Sequence, residues 1–192
     1  MAEAQRHSEG GWSLIELVVV IGLIGVLAGI AYWRLDVARY QVNAGIRSAG
    51  LALVAAQRQA MVKHHNVVVT FNETIQAFQI LYDKNNNFTR DADEVTRSVK
   101  LDDRVVFGLG GAMPRPFGGA AVDFDRTING LQALIFYRNG SASYGGGFYL
   151  TSRRAMADPT RYTDDTRALE IERATGRIQW WQYDAGTWRQ GF

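Results

Sequence analysis

One stretch of the chain carries oxygen side chains at alternate positions. Asp83, Asn85, Asn87, Thr89, Asp91 and Glu94 occupy positions 1, 3, 5, 7, 9 and 12 of a loop. Carboxylates and amides at that spacing suit a hard cation, calcium first, as in an EF-hand loop. Phe88 stands where such loops use glycine for the sharp turn, and no helical pattern flanks the segment. A polar, Asx-rich turn between strands explains the same residues and is the preferred reading. Calcium, with Asp83, Asn85, Asn87, Asp91 and Glu94 as ligands, is the alternative, and no other cofactor is expected. Glu16 is set apart by its surroundings. It heads Leu17–Trp33, seventeen residues without a charge. A lone charge there costs about 2.5–3.5 kcal/mol on membrane-insertion scales, so it calls for a cationic partner.

Catalytic signatures are missing. Cysteine is absent, which excludes disulfides, thiolate metal sites and a cysteine nucleophile. There is no His-Glu-x-x-His and no phosphate-binding loop, and Gly108-Leu109-Gly110-Gly111 lacks the dinucleotide spacing. Ser143 lacks the glycine that precedes a nucleophile elbow, because position 141 is serine. His64 and His65 fall at an expected helix end, where cations suit the macrodipole. The chain therefore reads as a non-enzyme. Trp180, Trp181, Tyr183, Trp188 and Phe192 could stack on nucleobases. Adjacent Trp180 and Trp181 must point to opposite faces of a strand, one into the core and one to a contact surface.

Charge distribution argues against a nucleic-acid partner. The 192 residues carry a net charge of +2, concentrated in residues 34–63 at net +4, while residues 64–192 are neutral. A polyanion-binding domain needs a larger electrostatic footprint. With 47% apolar and 21% charged residues, the chain is a folded protein, one domain with an appendage.

The elements that must position these residues follow from hydropathy. At 1.5 Å per residue the Leu17–Trp33 run nearly crosses a hydrocarbon core of about 30 Å. Tyr32 and Trp33 suit the membrane interface, and Gly22, Gly25 and Gly29 permit close helix packing. Leu35, Val42, Ile46, Ala49, Leu53, Ala56 and Ala60 then form one helical stripe. The spacing predicts a single helix from about Ser13 to about Val62, with Gly45 and Gly50 as weak points. After His65 the period becomes two. Strands are expected at 67–71, 78–82, 97–101, 105–109, 133–137, 147–151, 168–172 and 177–183, with loops at 110–120 and 153–166. The expected class is α+β, a long N-terminal transmembrane helix packed on an antiparallel β-sheet.

Gly11-Trp12-Ser13-Leu14-Ile15-Glu16-Leu17, opening an apolar helix, resembles the type IV prepilin signature. The resemblance implies cleavage after Gly11 by prepilin peptidase and methylation of the new amine on Trp12. It also implies that Glu16 meets the free amine of a neighbouring subunit during assembly. The segments are then 1–11 as leader, 12–33 as the transmembrane half of the helix, 34–63 as its amphipathic half, and 64–192 as the β domain. Ile135–Ala142, Phe148–Thr151, Leu169-Glu170-Ile171 and Thr175-Gly176-Arg177-Ile178 are similar, in order and spacing, to the H-type pseudopilin and FimT-like minor pilin group. That likeness implies a structural subunit of the type II secretion pseudopilus. It would be anchored once in the inner membrane with its domain in the periplasm, and partnered by other pseudopilins or minor pilins through the N-terminal helix. Gly176-Arg177-Ile178-Gln179 lacks the second arginine of the DNA-uptake pattern in FimT-like pilins. Two alternatives stay open: a FimT-like minor pilin of a type IV pilus, and a secreted binding domain behind an ordinary signal peptide cut near Gly29-Ile30-Ala31.

Overall fold

The computed structural model describes residues 13–32 and 36–191, with backbone only at 30–32. The expected leader 1–11, Gly11 and Trp12 at the cleavage point, Trp33 and Phe192 lie outside the described residues. The chain divides into two compact units, residues 1–36 and 37–192.

The first unit contains α1, Leu14–Tyr32. Leu, Ile, Val and Ala fill it without a polar face, and its described side chains are all exposed. Ser13 starts it: its Oγ accepts the Ile15 N–H at 3.3 Å and its carbonyl accepts those of Glu16 and Leu17. Among the described residues no helix is long and apolar enough to cross a membrane. The 19 residues of α1 rise about 28 Å, just under a core of about 30 Å. The candidate signal cleavage site Gly29-Ile30-Ala31 falls inside α1.

The second unit begins with α2, Val37–Lys63. One helix from Ser13 to Val62 was expected; the structure has two, and Asp36 stands outside helix immediately before α2. Aspartate is a favoured residue at that position, because its short side chain competes for helix-starting N–H groups. The expected stripe is observed from Val42 onward, with Val42, Ile46, Ala49, Leu53, Ala56 and Ala60 all buried; Leu35 lies outside the described residues. His64 closes the helix at φ 57°, the left-handed conformation of a helix C-terminus.

The single expected sheet is in fact two antiparallel sheets. The first has strand order β3-β2-β1-β7-β6, built from Thr96–Lys100, Ala77–Asp83, Asn66–Asn72, Leu131–Phe136 and Arg126–Ile128. The second runs β11-β10-β9-β8-β4, built from Thr187–Gln190, Ile178–Asp184, Arg167–Ile171, Gly146–Ser152 and Val105–Phe107, with β5 (Val122–Asp123) also on β8. Pairings such as β1 with β7 and β4 with β8 join distant segments, so local periodicity could not separate the sheets. The expected loop 153–166 holds a short helix α3, Arg153–Ala157, capped by Ser152, and a 3-10 turn at Thr163–Asp165.

The α2 stripe packs into one core with the inner faces of both sheets. Phe71 lies at its centre, 5.2 Å from the rings of Phe124 and Phe148 and 6.2 Å from Phe107. Removing any of these rings would cost about 3–5 kcal/mol.

Candidate functional site

The head of α1 is the chemically distinctive site. Glu16 lies in the first helical turn, exposed, beside Leu14 at 81% and Ile15 at 72% exposure. A carboxylate in the first turn is favoured by the helix dipole, which places the charge without a side-chain partner of its own helix. Beyond it Leu17, Ile21, Ile24 and Leu27 are each more than half exposed. An added Cβ at Gly22, Gly25 or Gly29 would meet no atom within 4 Å. α1 therefore offers apolar surface on every side, with small-residue gaps, and one acid at its start. Water is a poor solvent for such a surface; lipid or other helices satisfy it.

The 83–94 loop closes on its own hydrogen bonds. The buried Asp83 accepts the N–H groups of Asn87 (3.0 Å) and Phe88 (2.9 Å). Glu94, also buried, accepts those of Lys84 (2.7 Å) and Asp91 (3.1 Å). Asn85 and Asn87 both donate side-chain N–H to Asp91 Oδ2. Phe88 takes the left-handed conformation (φ 62°) that a glycine would supply. It is held there by Arg126 over its ring at 4.6 Å and by packing on Val68, Leu81 and Ile135. Among the described residues no three His, Asp or Glu side chains group closely enough to hold a metal ion. The side-chain oxygens of Asp83, Asn85, Asn87 and Glu94 face backbone N–H groups, the arrangement of a capped turn, and Asp91 Oδ2 faces the two asparagine amides.

The C-terminal aromatics divide as alternation requires. Trp180 packs on the core beneath Gly50 of α2, where an added Cβ would lie 2.6 Å from the indole nitrogen. Trp181 faces the other side and carries the Arg115 guanidinium 3.5 Å from its ring centroid. Arg115 also pairs with Glu170 at 2.7 Å. Trp188 donates its indole N–H to the Met113 carbonyl and packs edge-on against Tyr183. The 110–120 loop thus engages Trp181 and Trp188 through Arg115 and Met113, while Trp180 also lines a surface pocket with Arg47, Leu51 and Gly191.

Two side chains of α2 tie the domain together, and sequence patterns did not single them out. Gln57 Nε2 donates to the carbonyls of Gly140 (2.7 Å) and Thr175 (2.8 Å), bringing together the Asn139-Gly140 and Thr175-Gly176 turns. Asn43 accepts from the buried Arg167, whose guanidinium burial lowers to a pKa of about 10, still charged at neutral pH. Polar residues on an amphipathic helix carry no periodic signal of their own, so neither role was legible.

No known family model matches the sequence, and no curated protein does either. Two solved structures of the minor pseudopilin EpsH from the type II secretion system of Vibrio cholerae are similar to the chain. The first is 12% identical, covers 78% of this chain and 95% of its own, and has a TM-score of 0.38. The second is 14% identical, with coverage of 79% and 94% and the same TM-score of 0.38.

The signature residues thus divide. Ser13 and Glu16 stand together at the start of α1. Gly11 and Trp12 lie outside the described residues. The calcium candidates are gathered in one turn, and the described nucleobase candidates, Trp180, Trp181, Tyr183 and Trp188, are dispersed over two faces of a sheet.

Proposed function

We propose that the chain is a pilin-like structural subunit, an H-type pseudopilin of the type II secretion pseudopilus. Prepilin peptidase cuts after Gly11, Trp12 is methylated, and α1 holds the chain in the inner membrane until assembly. The domain works in the periplasm, and α1 packs against the α1 helices of other pseudopilins. The observation that supports this best is Glu16 in the first turn of a helix that is apolar and exposed all round. The new amine would be on Trp12, four residues before Glu16 in the sequence, and each acid would pair with that cation on an adjacent subunit. An ordinary secretion signal has no use for that acid.

The shortness of α1 fits storage in a membrane rather than opposing it. A helix slightly shorter than the hydrocarbon layer thins the bilayer locally or clusters with its neighbours, at fractions of a kcal/mol per Å. Clustering brings the Gly22, Gly25 and Gly29 surfaces together.

Mass spectrometry of the mature N-terminus tests the reading. The expected product begins with N-methylated tryptophan at position 12. A mature chain beginning near Tyr32 would instead mean simple secretion behind a signal peptide, and an unprocessed Met1 would exclude the prepilin pathway.

A further inference from the structure

A groove of about 490 Å³ opens beside the end of α2, lined by Gln59, Lys63, His65, Tyr82, Lys84 and Val95. Two lysines enter it from separate elements, one from the last turn of α2 and one from the residue after β2. The nearby acids are mostly turned away. Asp83 and Glu94 are buried, with oxygens committed to N–H groups of the 83–94 loop. Among the described residues only Asp93 forms an ion pair with a groove cation, Lys84, at 3.3 Å, with both side chains at least half exposed; Lys84 Nζ also donates to the Asp93 carbonyl. Among the described residues Lys63 makes no ion pair. His65 turns its Nδ1 to the Asn66 carbonyl at 3.1 Å and forms part of the wall. The remaining lining is Gln59, Tyr82 and Val95, with Val95 61% exposed and its carbonyl accepting the Tyr82 N–H at 3.1 Å.

We propose that this groove binds a carboxylate side chain of an acidic peptide segment on a partner protein. Lys63 is the principal cation, and Lys84 is shared between the incoming carboxylate and Asp93. A glutamate flanked by apolar residues matches the two lysines together with the Tyr82 and Val95 surface. A bare phosphate would leave Val95 and the Tyr82 ring uncovered and would demand more donors than two lysines supply. The inference is independent of how the chain is processed or anchored.

The test is NMR titration of the full ¹⁵N-labelled chain in detergent micelles. The probes are the peptide acetyl-Val-Glu-Val-amide, its glutamine counterpart, and inorganic phosphate. The glutamate peptide is expected to shift the amides of Lys63, Lys84 and Val95 saturably, and less so as salt is raised. Lys63→Gln is expected to weaken it about 1.5- to fivefold, the range of exposed ion pairs. Asp93→Asn is expected to strengthen it by up to about twofold, because Lys84 loses its competing carboxylate while keeping the Asp93 carbonyl, an opposite sign that a folding defect would not produce. Equal shifts from the glutamine peptide, tighter binding of phosphate, or no response to Lys63→Gln would each overturn the proposal.

Discussion

Arg167 Nε donates to Asn43 Oδ1 at 2.7 Å, joining β9 to α2 across 124 residues of sequence. Arg167 is fully buried, and its Nη1 donates to the carbonyls of Asp164 and Thr166. A buried guanidinium that loses an acceptor bears the full desolvation cost of the freed N–H. Asn43→Ala is therefore expected to lower stability by about 1–3 kcal/mol, read as a shift of the urea midpoint at unchanged slope. An unchanged midpoint would mean that water replaces Asn43 at no cost.

Gly50 makes a prediction that opposes helix propensity. Alanine is better than glycine in a helix interior by about 1 kcal/mol. Here its Cβ would sit 2.6 Å from Trp180 Nε1 and 2.8 Å from Cζ2. Overpacking of that kind costs about 1–3 kcal/mol, so Gly50→Ala is expected to melt at lower temperature. The Trp180 near-ultraviolet signal is expected to change with it.

Gln57 bridges two turns through a single amide group. Gln57→Leu keeps the bulk and removes both donors. A loss of about 1–2 kcal/mol is expected, together with faster amide hydrogen exchange at residues 139–141 and 174–177. Uniform exchange rates across the domain would assign the bridge no local role.

Tyr149 supplies a pH signature. Its hydroxyl accepts the Arg115 N–H and donates to the Gly118 carbonyl, each at 2.7 Å. Burial raises its pKa above 10, with the Arg115 hydrogen bond and charge working the other way. Because the folded pKa is raised, the stabilisation is complete below pH 10 and fades as pH climbs from there through the folded value, the unfolded chain having released its proton first. The stability gap between wild type and Tyr149→Phe is thus expected to shrink above pH 10, as measured by urea melts in paired buffers.

The α2 stripe was legible because one face of a helix buries every third or fourth residue, and Val42, Ile46 and Leu53 obey that period. Trp180 and Trp181 separated as strand alternation demands. The Asp36 interruption was not legible, because apolar periodicity runs on across it. β5, β6 and β11 were missed because two- to four-residue strands leave almost no pattern. Phe88 in a left-handed turn looked like a defect in a calcium loop. Its reason is tertiary: Arg126, on β6, covers its ring. At the candidate site, Glu16 was legible as one acid opening an apolar run, and its place in the first turn of α1 follows from Ser13 at the helix start.

The central claim is that Glu16 drives assembly by meeting a cation on a neighbouring subunit. Glutamine has nearly the same shape and no charge, so the direct measurement is the amount of Glu16→Gln chain recovered in sheared filaments relative to the membrane fraction. We expect Glu16→Gln to be cut after Gly11 as usual, to stay in the membrane, and to enter filaments at least about tenfold less, a loss of about 1.4 kcal/mol or more. Equal incorporation of the glutamine variant and the wild type would contradict the account.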